Sequence, residues 1–367
     1  MGGAVEEDEP SFYAMEEEEG RGRFLVASQR LASGLCILIC PAVAKSLSDA
    51  FLESHCSSCC RPAGGDCCSG CSKIKFCPDC STDANVDVLL HRYECSSFKQ
   101  LFQSSDFKIE ESRTLRLMLR LLVLRSLEAG RVSLSDTSEG DEAGPSFPSF
   151  QDAVECLCNN TPVMPEELLA RFSHIVKQAR YLLPSECRIS VEEGIELLAR
   201  AYCNAHELIN PDGSDQDLGF GLFPLACFFN HSCTPNCTWC VGDDGQLEIR
   251  TTRVVEEGEE LSISYCDLYE ERRRRRSTLQ KNFFFTCECK RCKLDPSWRR
   301  QEQLLSSWKC RKGCEGMMLP PPLLDAGGGD NAKKRKRGRE DGGKEERKKE
   351  EKEEQEQEGR AGRRLVC

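Results

Sequence analysis

Asn230-His231-Ser232-Cys233-Thr234-Pro235-Asn236, followed downstream by Glu257-Gly258-Glu259-Glu260-Leu261-Ser262-Ile263-Ser264-Tyr265, decides how this chain is read. An amide beside an imidazole offers directional donors and acceptors to a polar ligand. Leu261, Ile263 and Tyr265 alternate with Glu260, Ser262 and Ser264, the period of a half-buried strand that would end on the Tyr265 hydroxyl. Taken alone, the Asn-His pair also reads as a satisfied core hydrogen bond, and Tyr265 as an ordinary buried strand tyrosine.

The chain has 367 residues, enough for a substantial core and about two or three units. A net charge of −11 excludes a nucleic-acid-binding polycation overall. No apolar run reaches membrane-spanning length, and the start, with Glu6, Glu7, Asp8 and Glu9, is too acidic for a signal peptide. The 26 cysteines need either secreted disulfides or metal sites. Repeated C-x2-C spacing without a secretory signal favours zinc. Cys36, Cys156, Cys187 and Cys227 are left over and are expected to pack as small hydrophobes.

Cys56-x2-Cys59, Cys68-x2-Cys71, Cys77-x2-Cys80 and His91-x3-Cys95 make four ligand pairs, enough for about two tetrahedral zinc ions. Cys287-x-Cys289-x2-Cys292 supplies three thiolates, one short of a closed site, and Cys310-x3-Cys314 opens a further motif that no second pair completes.

From Leu101 to about Leu183 the pattern turns helical, with Leu115, Leu119 and Leu122 on one face and Arg113, Arg116 and Arg120 on another. A Ser/Gly/Asp-containing loop from Gly130 to Ser146 interrupts it. Pro165-Glu166-Glu167 starts a helix, and Ser190 with Glu193 forms a capping box for the next, which ends at Asn204. Leu218 to Phe223 reads as a strand, and Asp244-Gly245 as a hairpin turn. Arg272 to Arg276 form either a solvated helix face or a site for acidic partners or phosphate. Beyond Leu319 the chain is low-complexity, with a basic cluster at Lys333-Lys334-Arg335-Lys336-Arg337 of the nuclear-import type.

The Asn-His-Ser-Cys segment, the Gly-Glu-Glu-Leu strand ending on Tyr265 and the Cys287 trio together resemble SET-domain lysine methyltransferases, and the Cys56–Cys95 block resembles a MYND zinc finger. The resemblance implies an α+β fold: a β-rich SET unit with a pseudoknot, interrupted by the finger and a helical insert, and closed by a zinc-bound post-SET segment. The implied units are a disordered acidic start (1–19), the first SET part (20–55), the finger (56–95), the helical insert (96–189), the SET core (190–267), the post-SET region (268–318) and a disordered charged tail (319–367).

By resemblance, S-adenosylmethionine would contact Gly20, Arg21, Gly22, Asn204, Asn230, His231, Tyr265 and Phe285. Gly20-Arg21-Gly22 is also a plain turn, and Asn204 equally a helix-ending residue. Tyr265 would be catalytic, and Phe283 and Phe285 would wall the lysine channel. Many relatives have Tyr where Phe283 stands. One zinc would take Cys56, Cys59, Cys77 and Cys80, and a second Cys68, Cys71, His91 and Cys95, with Cys60 and Cys67 as alternatives nearby. A third would take Cys233, Cys287, Cys289 and Cys292, making about three zinc ions. The third finger pair is spaced one residue tighter than the family's, and Cys227 replaces a small hydroxyl residue.

Relatives carry a C-terminal helical-repeat domain, and no such apolar repeat follows here. The reading expects a monomeric enzyme of the nucleus, with the cytoplasm as a second location, acting on lysines of histone or non-histone proteins, with proline-containing peptides as partners of the finger and no direct nucleic-acid binding. The alternative is a catalytically weak adaptor that recruits proteins through the finger; DNA binding through the arginine run ranks last.

Overall fold

The computed structural model describes residues 11–19, 21–104, 109–132, 149–209, 217–242, 244–309 and 317–318. Gly20, the Cys310/Cys314 pair and the basic cluster at 333–337 lie outside them. The fold mixes strand and helix, in keeping with the α+β reading.

Strand β1 (Tyr13–Glu18) pairs antiparallel with β2 (Gly22–Ala27). This corrects the expected disorder of residues 1–19 over their described part. Phe12 and Tyr13 anchor the strand on the core, with the Tyr13 ring edge-on to Phe229 at 6.5 Å. The exposed glutamates that suggested disorder suit an edge strand, where charge blocks further pairing.

Strands β3 (Cys36–Cys40) and β4 (Ala44–Leu47) lead into the cysteine-rich block, which ends in helix α1 (Val86–Gln103). Asn85 caps α1 by accepting the Asp87 N–H at 2.9 Å. Helix therefore begins well before Leu101 and carries His91 and Cys95 one turn apart. Helices α2 (Ile109–Glu128), α3 (Glu166–Leu182) and α4 (Val191–Asn204) follow, α4 with the capping box at Ser190 and Glu193.

Then come β5 (His206–Ile209), β6 (Asp217–Leu222), β7 (Asn230–His231), β8 (Cys237–Val241), β9 (Leu247–Thr251) and β10 (Ser262–Ile263). Helices α5 (Arg272–Phe283) and α6 (Pro296–Leu305) and the short pair β11 (Trp308–Lys309) and β12 (Met317–Met318) close the described chain. Two three-stranded sheets, ordered β3-β9-β8 and β4-β6-β5, frame the centre. Strands β7 and β10 pair in parallel, a connection no tight hairpin can make; the β8–β9 hairpin serves as the crossover. Among the described residues no helix is long and apolar enough to cross a membrane.

Helix α2 lies at the middle of the core. Leu115, Leu117, Met118, Leu119, Leu121, Leu122 and Val123 are all buried, so its burial extends well beyond one leucine stripe. Arg116 and Arg120 are buried too, and Arg113 half-buried, unlike a solvated polar face. Arg116 bonds Asp49 at 2.5 Å and the Leu47 carbonyl. Arg120 grips both Glu94 oxygens at 2.9 Å and Asp87 at 2.6 Å. Lys45 completes this group, 3.5 Å from Asp87 and bonded to the Ser58 carbonyl. Four charges of alternating sign thus tie β4, α1, α2 and the cysteine-rich block together. Such pairs are costly to break, because the surviving partner is left buried and uncompensated. Glu94→Ala is expected to lower unfolding free energy by about 3–5 kcal/mol in urea titrations, while Arg30→Ala, in the exposed pair with Glu256, leaves the midpoint unchanged.

Candidate active site and metal centres

Strand β7 emerges from a short helical turn at Pro224–Phe228 and carries Asn230 and His231 alongside Ser262 and Ile263. The two-residue strands hold through side chains acting as extra rungs. Buried Asn236 donates to the Glu260 carbonyl at 2.8 Å and accepts the Ser262 N–H at 2.8 Å. Leu261, Ser262 and Ile263 are consequently all buried, and the half-exposed alternation read from the sequence is not realised. Both faces of the segment are covered.

His231 Nδ1 accepts the Tyr265 backbone N–H at 3.0 Å. Burial keeps the imidazole neutral, its pKa down to about 4. An Nδ1 that accepts leaves the proton on Nε2, which points at Cys233 Sγ, 3.3 Å away. His231, Cys233 and Cys266 lie close enough to suggest a ligand set, but this tautomer makes His231 a donor toward sulfur rather than a metal ligand. The Tyr265 hydroxyl donates to the Phe229 carbonyl at 2.7 Å. Its ring lies 5.4 Å from His231 and 4.8 Å from Phe283, and Phe285 lies 6.1 Å from His231. Four predicted site residues therefore share one cradle.

Asn230 Nδ2 donates to Glu260 at 3.3 Å, and the other Glu260 oxygen pairs with Arg21. The Arg21 guanidinium lies over Phe24 at 4.3 Å. Glu260 thus joins Arg21 to Asn230. Gly22, at φ +78°, has no protein atom within 4 Å of where a Cβ would stand. The Asn204 side chain donates to the Arg200 and Cys158 carbonyls at 2.8 and 2.9 Å, and its own carbonyl accepts from Cys227 Sγ at 3.2 Å. It closes α4 and borders the segment leading to Asn230.

The cysteines gather in the expected sets: Cys56, Cys59, Cys77 and Cys80; Cys68, Cys71, His91 and Cys95; Cys233, Cys287, Cys289 and Cys292. Tetrahedral zinc with bonds of about 2.3 Å to sulfur and about 2.05 Å to nitrogen needs S···S near about 3.8 Å and S···N near about 3.6 Å. The separations are 3.8 Å for Cys59–Cys77, 3.6 Å for Cys68–Cys95, 3.6 Å for Cys71–His91 Nε2, and 3.9 and 3.5 Å from Cys233 to Cys287 and Cys292. These exceed a disulfide bond of about 2.05 Å and suit a shared metal. Cys60 and Cys67 stay outside the sets, and the tighter Cys77-x2-Cys80 pair still reaches its partners. Cys187 is fully buried, as expected of a small hydrophobe, whereas Cys36, Cys156 and Cys227 are partly exposed.

The arginine run opens α5, and Arg275 is wholly buried rather than solvated; its Nε lies 3.3 Å from Cys233 Sγ.

A family model described as SET domain matches residues 22–266. The chain belongs to the SET-domain family. Relatives that this SET-domain chain resembles include the histone-lysine N-methyltransferase ASHR1 of Arabidopsis thaliana, 25% identical over 82% of this chain and 59% of the relative. The N-lysine methyltransferase SMYD2 of Gallus gallus is 30% identical over 74% of this chain and 58% of the relative. A SET and MYND domain-containing protein of Dictyostelium discoideum is 28% identical over 75% and 58% respectively. The chain thus spans 58–59% of the length of these relatives.

Asn236 and Glu260 lie within the two quoted motifs, but nothing in the sequence marks the bonds they make across β7 and β10. Gly70 lies inside a C-x2-C turn where a Cβ would stand 2.5 Å from Cys95 Sγ and 3.6 Å from Cys68 Sγ. Gly70→Ala is expected to reduce bound metal by about one ion per chain, read by elemental analysis, while Cys56, Cys59, Cys77 and Cys80 stay protected from alkylation.

His206, buried edge-on between Phe223 at 6.0 Å and Trp239 at 5.4 Å, is also held neutral by burial, with its pKa down to about 4. The unfolded chain takes up this proton near pH 6.5 and the folded chain near pH 4, so the stability present above pH 6.5 is lost as pH falls through that window. His206→Phe is expected to shrink the stability difference between pH 7 and pH 5 by about 2 kcal/mol in urea unfolding.

Proposed function

We propose that this chain is an S-adenosylmethionine-dependent protein-lysine N-methyltransferase. The carrying observation is the single cradle in which His231 accepts the Tyr265 backbone N–H at 3.0 Å while Phe283 and Phe285 flank the two rings. The cofactor, when bound, supplies a sulfonium methyl group. Asn230, His231 and the open space beside Gly22 would hold it, with Arg21, Asn204 and Phe285 at its borders. Arg21 offers a cation to a carboxylate, and Asn230 an amide with donor and acceptor ends.

Tyr265 and the Phe229 carbonyl would orient the lysine amine for in-line attack, and the aromatic walls would exclude water. A dry channel lowers an amine pKa toward the neutral, attacking form, and the π faces of Phe283 and Phe285 favour methylated ammonium. Phe283 brings no hydroxyl to this wall, which removes an amine acceptor and bears on how many methyl groups are added.

In this reading residues 56–95 form a MYND finger with two zinc ions that docks proline-containing peptides, and Cys233 with the Cys287 trio holds a third as the post-SET closure; the interleaved ligand sets support it. The basic cluster at 333–337 supports a nuclear site of action.

The test is methyl transfer from labelled S-adenosylmethionine to protein substrates, alongside calorimetry with S-adenosylhomocysteine. Tyr265→Phe is expected to cut kcat by about 100-fold while leaving cofactor affinity unchanged. Equal rates would remove Tyr265 from the mechanism. An absence of cofactor binding by the unaltered protein would remove the enzyme reading and leave the adaptor.

A further inference from the structure

Helix α6 docks in an unusual way. It starts at Pro296 under an Asp295 cap, and Glu302 is its buried residue, while Leu304 stays exposed. A helix that inserts a carboxylate rather than an apolar stripe must find strong partners there, because an unpaired buried charge is very costly. Glu302 finds three. Arg275 Nη2 bonds it at 2.9 Å, Arg291 Nε pairs with the same oxygen, and the Arg272 backbone N–H reaches the other at 3.2 Å.

Both guanidiniums that Glu302 orients also hold Cys233. Arg275 Nε donates toward its sulfur at 3.3 Å, and Arg291 Nη1 donates to its carbonyl at 3.1 Å. Arg275 further bonds the Glu270 carbonyl at 2.6 Å, and Arg291 the Leu268 carbonyl at 2.7 Å, so the strap after Tyr265 is bound into the same knot. Electrostatics favour the arrangement. Four thiolates on a divalent ion carry net negative charge, and two guanidiniums around one carboxylate leave net positive charge beside them. Cys233 in turn lies under the His231 Nε2–H.

We infer that Glu302 is a positioning residue: through Arg275 and Arg291 it locks Cys233 onto the metal of the closing segment, so the functional closure extends through α6 beyond the cysteine trio. This rests on the zinc assignment at Cys233, Cys287, Cys289 and Cys292 proposed above. Without Glu302 the guanidiniums lose their common anchor, and Cys233 becomes the weakest of the four ligands.

The experiment follows zinc release from the full chain to a chromogenic chelator by stopped flow, with urea stability measured in parallel. Glu302→Gln is expected to speed release of about one of three zinc equivalents by at least about tenfold, with the other two unchanged. Arg275→Lys keeps the charge, removes the Nε donor and is expected to act on the same equivalent. Arg300→Ala, exposed on α6, is expected to behave as the unaltered protein. Unchanged release in both Glu302→Gln and Arg275→Lys overturns the inference, as does equal acceleration of all equivalents in step with lowered global stability. Should the unaltered protein hold zinc only in the finger, with Cys233 open to alkylation, the third-site assignment fails as well, which separates that failure from the failure of the clamp alone.

Discussion

One imidazole joins the two halves of the site. His231 receives the Tyr265 backbone N–H on one nitrogen and faces the Cys233 sulfur with the other. That double engagement fixes the tautomer, the ring plane and the distance between the phenol and the closing sulfur cluster. It is available because β7 and β10 run in parallel, bringing residues from both motifs level. Two-residue strands are too short to hold themselves. Asn236 and His231 therefore serve as side-chain rungs, and their loss would release Tyr265 even with every apolar contact intact.

The molecule is built around ions as much as around its apolar core. Arg120, Glu94, Asp87 and Lys45 bind the cysteine-rich block to the central helix. Arg275, Arg291 and Glu302 occupy the corresponding place behind Cys233. Buried ion pairs add little net stability against well-packed apolar residues, but a misaligned pair is severely penalised. They suit a chain whose cysteine-rich segments carry few large side chains and must still be held in one register.

The ligand pairs and the capping box were legible in the sequence, because thiolate spacing and helix caps are local signals; which pairs share an ion, and which residues form the cradle, came from the resemblance to SET and MYND proteins. The sequence did not reveal what depends on three-dimensional neutralisation. Arg275 looks solvated within a run of five arginines, and only Glu302 on a later helix explains its burial. Arg116 and Arg120 likewise mark a polar face until Asp49 and Glu94 are seen to meet them. Strand β1 was hidden by its glutamates, since pairing with β2 supplies backbone bonds that composition does not register. Gly70 carries its meaning in a missing atom beside Cys95.

On the proposed reading, the acceptors of the cradle set its selectivity. A phenol has one proton to give, and Tyr265 gives it to the Phe229 carbonyl at 2.7 Å, so toward a substrate its oxygen acts as an acceptor. A neutral amine suits that oxygen through its N–H and keeps its lone pair for attack. An ammonium would bring a charge that must shed water in a pocket whose other walls are Phe283 and Phe285. Deprotonation is thus favoured by the same aromatic surfaces that later accommodate the methylated cation, and Phe283 contributes a π face where a hydroxyl would have retained water. A metal held by Cys233 and the Cys287 trio would then do more than add stability: with Cys233 fixed beneath His231, the ring that meets Tyr265 would keep its place against the aromatic walls.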